Sequence, residues 1–180
     1  MPAIATPLDR PPGYPAQFEE RVRLDDGREV FIRPVVPADA AELGFELEHA
    51  DPETLYHRFF GARLRIDEEL LRYLTVLDYD RRFALAAFAD SGVAIARYEG
   101  APGSDVAEMA VAVKPPWRRI GLATVLLERL QDAARERGIR RLRADFLADN
   151  AAARGLIARA GFESPVYQFG VGSVESDLTT

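Results

Sequence analysis

The chain has 180 residues, 23 of them lysine or arginine and 29 aspartate or glutamate, for a formal net charge of −6; 48% of it is hydrophobic and 29% charged. Those values suit one water-soluble domain that buries about two-thirds of the surface its unfolded chain would expose. The absence of cysteine excludes disulfides, thiolate metal sites and a cysteine nucleophile, and no apolar run, the longest being Phe83 to Ala89, nears the ~20 residues of a membrane span. No basic-then-apolar leader opens the sequence, so a cytoplasmic, bacterial-type protein is expected.

Residues 1–19 carry five prolines and no apolar periodicity, which predicts an extended or poorly ordered arm. From Arg21 the pattern becomes alternating. Val22-Arg23-Leu24 and Glu29 to Arg33 flank Asp25-Asp26-Gly27, a hairpin signal. Pro37-Ala38-Asp39 opens a helix to about Ala50. Asp51-Pro52-Glu53 starts a second, proline being favoured in a first turn. Its Leu55, Tyr56, Phe59 and Phe60 are expected in the core or a cleft wall, as are Leu70, Leu71, Leu74 and Leu77 of a third helix from Asp67 to about Leu77.

Phe83 to Ala89 and Val93 to Tyr98 predict a second hairpin about Asp90-Ser91-Gly92, and Val106 to Val113 the next strand. A helix ends near Gly138, and a strand follows from Arg140 to Leu147. Asn150 caps a helix through Ala160, and Tyr167 to Val171 reads as a final strand. The polar residues 173–180 are expected to fray, leaving a single folded domain over residues 20–172. His49 and His57 are too isolated to suggest a metal. The arginines have acidic neighbours, unlike the basic stripe a nucleic acid requires.

The densest signal lies between Glu108 and Thr124. Pro115-Pro116 stops a strand, and Leu122, Leu126, Leu130 and Ala133-Ala134 recur at helical spacing. The first amides of a helix have no partner within it and carry about half a positive charge together, so an anion docks there. Lys114, Arg118 and Arg119 add charge at that corner, against the trend of the chain. Lys114 is also the one lysine present among 23 basic residues.

Arg118-x-x-Gly121-x-Ala123 resembles the pyrophosphate loop of the GNAT superfamily of N-acetyltransferases, whose signature is Gln/Arg-x-x-Gly-x-Gly/Ala. Asn150 with Ala153, Leu156, Gly161 and Phe162 resembles the close of the same signature, and the likeness spans about Arg33 to Phe162. It implies an α/β GNAT fold: a mixed, mostly antiparallel sheet with splayed central strands, flanked by helices. It also implies acetyl-CoA as co-substrate, with no metal. Its pyrophosphate would rest on Arg118, Arg119, Ile120, Gly121, Leu122, Ala123 and Thr124, its pantetheine arm would pair along Val111 and Val113, and Asn150 would contact the CoA side. Arg119 stands where many members have glycine, so a positive φ there would require the loop to shift.

A lysine amine, with a pKa near 10.4, is free base in only about one molecule in two thousand at neutral pH, so transfer needs a general base. Glu108 is the candidate, expected in an apolar setting between Ala107 and Met109. The tyrosine that many members use as general acid has Ile157 as its counterpart, and Tyr167 is a distant substitute. Leu55-Tyr56-x-Arg58-Phe59-Phe60, Asp78-Tyr79-Asp80 and Ala107-Glu108 resemble bacterial protein-lysine acetyltransferases without their regulatory domain. The expectation is therefore acetylation of a protein lysine in a ternary complex by a monomer or homodimer. A small-amine acetyltransferase and an acyl-CoA sensor without turnover are the alternatives.

Overall fold

Antiparallel hairpins and one parallel strand pair frame the computed structural model, which describes residues 8–179. β1 (Glu20–Arg23) pairs with β2 (Glu29–Pro34) across a turn in which Gly27 takes φ 88°. β3 (Arg82–Phe88), β4 (Gly92–Gly100) and β5 (Val106–Val113) continue the antiparallel run. β6 (Arg141–Leu147) then joins β5 in parallel. Such a pair needs a long crossover, which α4 (Leu122–Glu136) supplies. With β7 (Val166–Gln168) and β8 (Val171–Asp177), the order is β1-β2-β3-β4-β5-β6-β8-β7, a mixed and mostly antiparallel sheet.

Helices cover both faces. Leu122, Leu126, Leu130, Ala133 and Ala134 of α4 bury against Phe83, Leu85, Ala96, Tyr98 and Ala107, forming the main core. Each fully buried leucine contributes about 1.5–3 kcal/mol there. On the same face α5 (Ala151–Arg159) sets Ile157 against Phe146 and Val174. On the other face lie α1 (Ala40–His49), α2 (Pro52–Phe59) and α3 (Glu68–Thr75), with Val35, Ala84 and Ala86 as a smaller core. Asp51 and Asp67 cap α2 and α3, accepting from the amides of Thr54 and Leu70.

Four local expectations need correction. The segment 173–180 is not a frayed tail through its described residues: β8 runs to Asp177 inside the sheet, with Val174 and Leu178 buried. Phe169 and Gly170, both at positive φ (50° and 77°), turn β7 back into β8. The run from Tyr167 to Val171 is thus a hairpin corner and not one strand. The arm is also partly anchored, since Phe18 is buried against the Phe83 ring; its first seven residues lie outside the described ones, as does Thr180. α2 has no buried residue, and its Tyr56 with the following Phe60 is exposed, so its aromatics form a wall only.

Candidate active site

β5 and β6 pair only over Val106–Glu108 and Arg141–Arg143; the last partners are Glu108 and Arg143. Beyond them the two strands part, while β5 stays paired to β4 as far as Val113. Lys114 N donates to Val93 O at 2.9 Å. Because hydrogen bonding alternates along an antiparallel pair, the peptide groups of Met109, Val111 and Val113 face the opening and not β4. The opening is a wedge whose one wall offers the backbone donors and acceptors of Met109 and Val111, unpaired among the described residues, and the amide of Val113, suited to an extended ligand that carries amides.

The anion-binding corner stands at the wide end of the wedge. Pro115–Trp117 form a single 3-10 turn, Arg118 is extended, and Gly121 at φ 86° precedes α4. The first backbone bond into that helix runs from Val125 N to Gly121 O at 3.1 Å, and the amides of Arg119 through Thr124 have no acceptor among the described residues. Arg119 itself takes φ 61°, the left-handed conformation glycine usually fills. The loop therefore does not shift; the arginine bears a backbone cost of about 1–2 kcal/mol. These residues fit a pyrophosphate through backbone N–H groups.

Their side chains are deployed otherwise than expected. Arg118 turns back, donating from Nε to Val113 O at 2.9 Å and from Nη2 to the Thr54 hydroxyl at 2.8 Å. Lys114 Nζ lies 2.6 Å from Glu46 Oε2 on α1. Of the three expected cations, Arg119 alone has no ion-pair or hydrogen-bond partner among the described residues. The β1–β2 turn braces the loop: Arg28 stacks 4.2 Å from the Trp117 ring centroid and donates to Pro116 O at 2.8 Å, and Asp25 N donates to Ile120 O at 3.1 Å. A Cβ on Gly121 would lie 3.0 Å from Asp25 Oδ2, so that glycine answers both to its φ and to its neighbour. No local sequence pattern ties Arg28 or Asp25 to a loop about 90 residues away.

Glu108 stands at the closed end of the wedge. It is exposed, not enclosed in an apolar pocket: Ala107 and Met109 point to the α4 side, while Glu108 shares its face with Glu99, Ala110 and Arg143. Chain neighbours in a strand are on opposite faces, which is why the apolar setting read along the sequence is absent. Asn150, past the end of β6, accepts from Ala153 N at 3.0 Å through Oδ1 and caps α5, its Nδ2 having no partner among the described residues. His57 Nε2 approaches Asp149 Oδ1 at 3.3 Å and ties α2 to that wall. Ile157 is buried against Phe146 and Val174, and Tyr167, half exposed, packs edge-on against Phe146.

Sequence reasoning missed an arginine group on the Glu108 face. Arg97 is opposite Ala110 in the β4–β5 register, and Arg82 stacks 4.3 Å from the Tyr73 ring centroid. Burial holds the guanidinium of Arg58, on α2, below its ordinary pKa, and the charge of Arg97 adds to the effect. Among the described residues no group of acidic, histidine or cysteine side chains could hold a metal ion, and no helix is long and apolar enough to cross a membrane.

A model of the acetyltransferase (GNAT) family matches residues 38–162. An acetyltransferase of Pseudomonas aeruginosa is 32% identical over 144 residues, 77% of each chain. The acetyltransferase Pat of Mycolicibacterium smegmatis is 31% identical over 87% of this chain, which spans about half (48%) of that protein. Among solved structures, the GNAT domain of S. lividans PAT superposes with a TM-score of 0.83 at 34% identity, covering 91% of this chain and 99% of that one.

Proposed function

This chain belongs to the acetyltransferase (GNAT) family and uses acetyl-CoA as its acyl donor; from that premise we propose that it acetylates the ε-amine of a protein lysine, with Glu108 as general base. The observation that carries the reading is the position of Glu108. It is the last β5 residue paired to β6, so its carboxylate stands where the wedge closes and where an acyl group carried along β5 would end.

Acetyl-CoA supplies an acetyl thioester. The amides of Arg119 to Thr124 hold the pyrophosphate, and the peptide groups of Val111 and Val113 pair with the pantetheine arm. Arg118 keeps the Val113 carbonyl in place, and the Nδ2 of Asn150 faces the ligand from the opposite wall. Glu108 takes the proton of the lysine ammonium, directly or through water, as the amine attacks the thioester carbon. The N–C bond forms, the C–S bond breaks, CoA leaves as a thiolate, and the second nitrogen proton passes to that thiolate or to water. A thiolate is a much better leaving group than an amine, so its departure near neutral pH tolerates the lack of a donor at Ile157.

Two features favour a protein acceptor. The S. lividans PAT domain aligns along nearly its whole length, and the acceptor face carries Arg58, Arg82 and Arg97 beside Glu99 and Glu108, and not the predominantly acidic lining that a polyamine or an aminoglycoside would require. The test is acetyl-CoA consumption with cell-extract protein as acceptor, acetylated sites being read by mass spectrometry. Wild type should acetylate lysines. Glu108→Gln should lose about 10²–10⁴ in rate while still binding acetyl-CoA. Equal rates in the two would remove Glu108 as base; binding by both with turnover by neither would favour the sensor.

A further inference from the structure

Arg97 is 7% exposed, yet its Nη1 and Nη2 have no hydrogen-bond partner among the described residues. Glu99 Oε2 is 4.0 Å from Nη2, too far for a hydrogen bond, and Glu99 is already engaged by the Tyr73 hydroxyl and by Arg82, whose Nε lies 3.7 Å away. Arg58, half-buried beside the Phe59 ring, has no ion pair among the described residues, and its charge and that of Arg97 oppose each other. Arg82, by contrast, is stacked on Tyr73 and donates to the carbonyls of Tyr73 and Val76. A buried guanidinium whose nitrogens lack a hydrogen-bond partner is among the costliest groups a fold can hold, and two guanidinium groups close enough to disfavour each other's charge call for an anion beyond Glu99.

The location decides which anion. Arg97 shares the face of Glu108 and stands diagonally from it on the neighbouring strand, a separation of about 7–8 Å between backbones. That places it on the acceptor side of β5, away from the α4 N-terminus that receives the pyrophosphate. A carboxylate bonded to the flexible forks of Arg97 and Arg58 would lie one residue's reach from an amine at Glu108.

We infer that Arg97 and Arg58 together bind a carboxylate of the acceptor, so that the preferred lysine is flanked by an aspartate or glutamate. The inference rests on the lysine-acetyltransferase reading and narrows its substrate class. The carboxylate has two possible sources, a side chain beside the lysine or the α-carboxylate of a free amino acid, and the assay separates them.

Wild type and Arg97→Met are each given a lysine peptide with glutamate beside the lysine, its alanine counterpart, and free glutamate, with kcat/KM read for each. Wild type should prefer the glutamate peptide by about 10- to 100-fold, and Arg97→Met should collapse that ratio towards one. Equal use of both peptides by wild type, or the same ratio in both proteins, overturns the carboxylate site and leaves the lysine reading standing. Acetylation of free glutamate alone, lost in Arg97→Met, upholds the site and overturns the lysine reading. With succinyl-CoA and the alanine peptide, a wild-type preference over acetyl-CoA that vanishes in Arg97→Met would mean that the guanidinium reads the acyl group, which overturns the acceptor assignment. Should Arg97→Met fail to fold, Arg58→Met on the exposed helix α2 gives the same ratios.

Discussion

Arg118 and Thr54 meet across 64 residues of chain, the Arg118 Nη2 donating to the Thr54 hydroxyl, which in turn donates to Asp51 at the cap of α2. The pyrophosphate loop and the acceptor-side helix are thereby one mechanical unit. Thr54→Val keeps the shape of the side chain and removes both bonds. Stability should fall by about 0.5–1.5 kcal/mol in a denaturant titration, and KM should rise for acetyl-CoA and for the acceptor together. A change in one KM alone would disconnect loop from helix.

The same hydroxyl, followed by the Thr54 amide, holds the Asp51 carboxyl below the ordinary carboxylate range. A lowered folded pKa stabilises the fold above the unfolded value, near 3.9, and that contribution drains away as pH falls through the lowered value. Asp51→Asn retains a capping acceptor but cannot titrate. Unfolding midpoints followed from pH 5 down to 2.5 should decline less steeply in Asp51→Asn than in wild type; parallel curves would contradict the assignment.

Arg119→Gly relieves a left-handed backbone at a position glycine occupies without strain. The relief, about 1–2 kcal/mol, is partly offset by the entropy glycine loses on folding, about 0.5–1 kcal/mol. The variant should therefore be as stable as wild type or up to about 1.5 kcal/mol more so, while its KM for acetyl-CoA rises several-fold with the lost charge, as calorimetry and initial rates would reveal.

Gly172 lies under the Phe146 ring: a Cβ there would come within 2.5 Å of Cζ. Gly172→Ala has to displace the ring, which also carries Ile157 and Val174. A loss of about 1–3 kcal/mol in thermal or urea unfolding is expected. Gly170, at φ 77° with nothing near its Cβ, should instead report backbone strain alone when replaced by alanine.

The sequence was most legible where a signal is local. Asp51-Pro52 and Asp67 mark helix starts by capping chemistry, and the interval from Pro115 to Gly121 marks a strand end and a helix start through residues a few positions apart. Glu108 could be placed on its strand, but not its surroundings, because they come from β4 and β6. Arg118 read as a cation for phosphate and serves as a brace, since Thr54 is remote in sequence. β8 was lost because Gly172, Ser173, Glu175 and Ser176 carry little β-propensity, and it is the packing of Val174 and Leu178 that makes them a strand. Arg97 sits in an ordinary alternating run, and only the absence of a hydrogen-bond partner for its buried guanidinium in three dimensions sets it apart.

β6 meets β5 over three residues of register and β8 over seven, which makes the sheet two plates joined along a short seam. One plate, β1 to β5, carries the loop and the base; the other, β6-β8-β7 with α5, carries Asn150. A seam that short is a hinge line, and the angle between the plates sets how far Asn150 stands from the loop. A ligand pairing its own amides to Met109, Val111 and Val113 would lengthen the seam from the open side, so the co-substrate would complete the sheet as well as react within it. Amide hydrogen exchange in β6 should then slow on acetyl-CoA binding even at residues the ligand never touches.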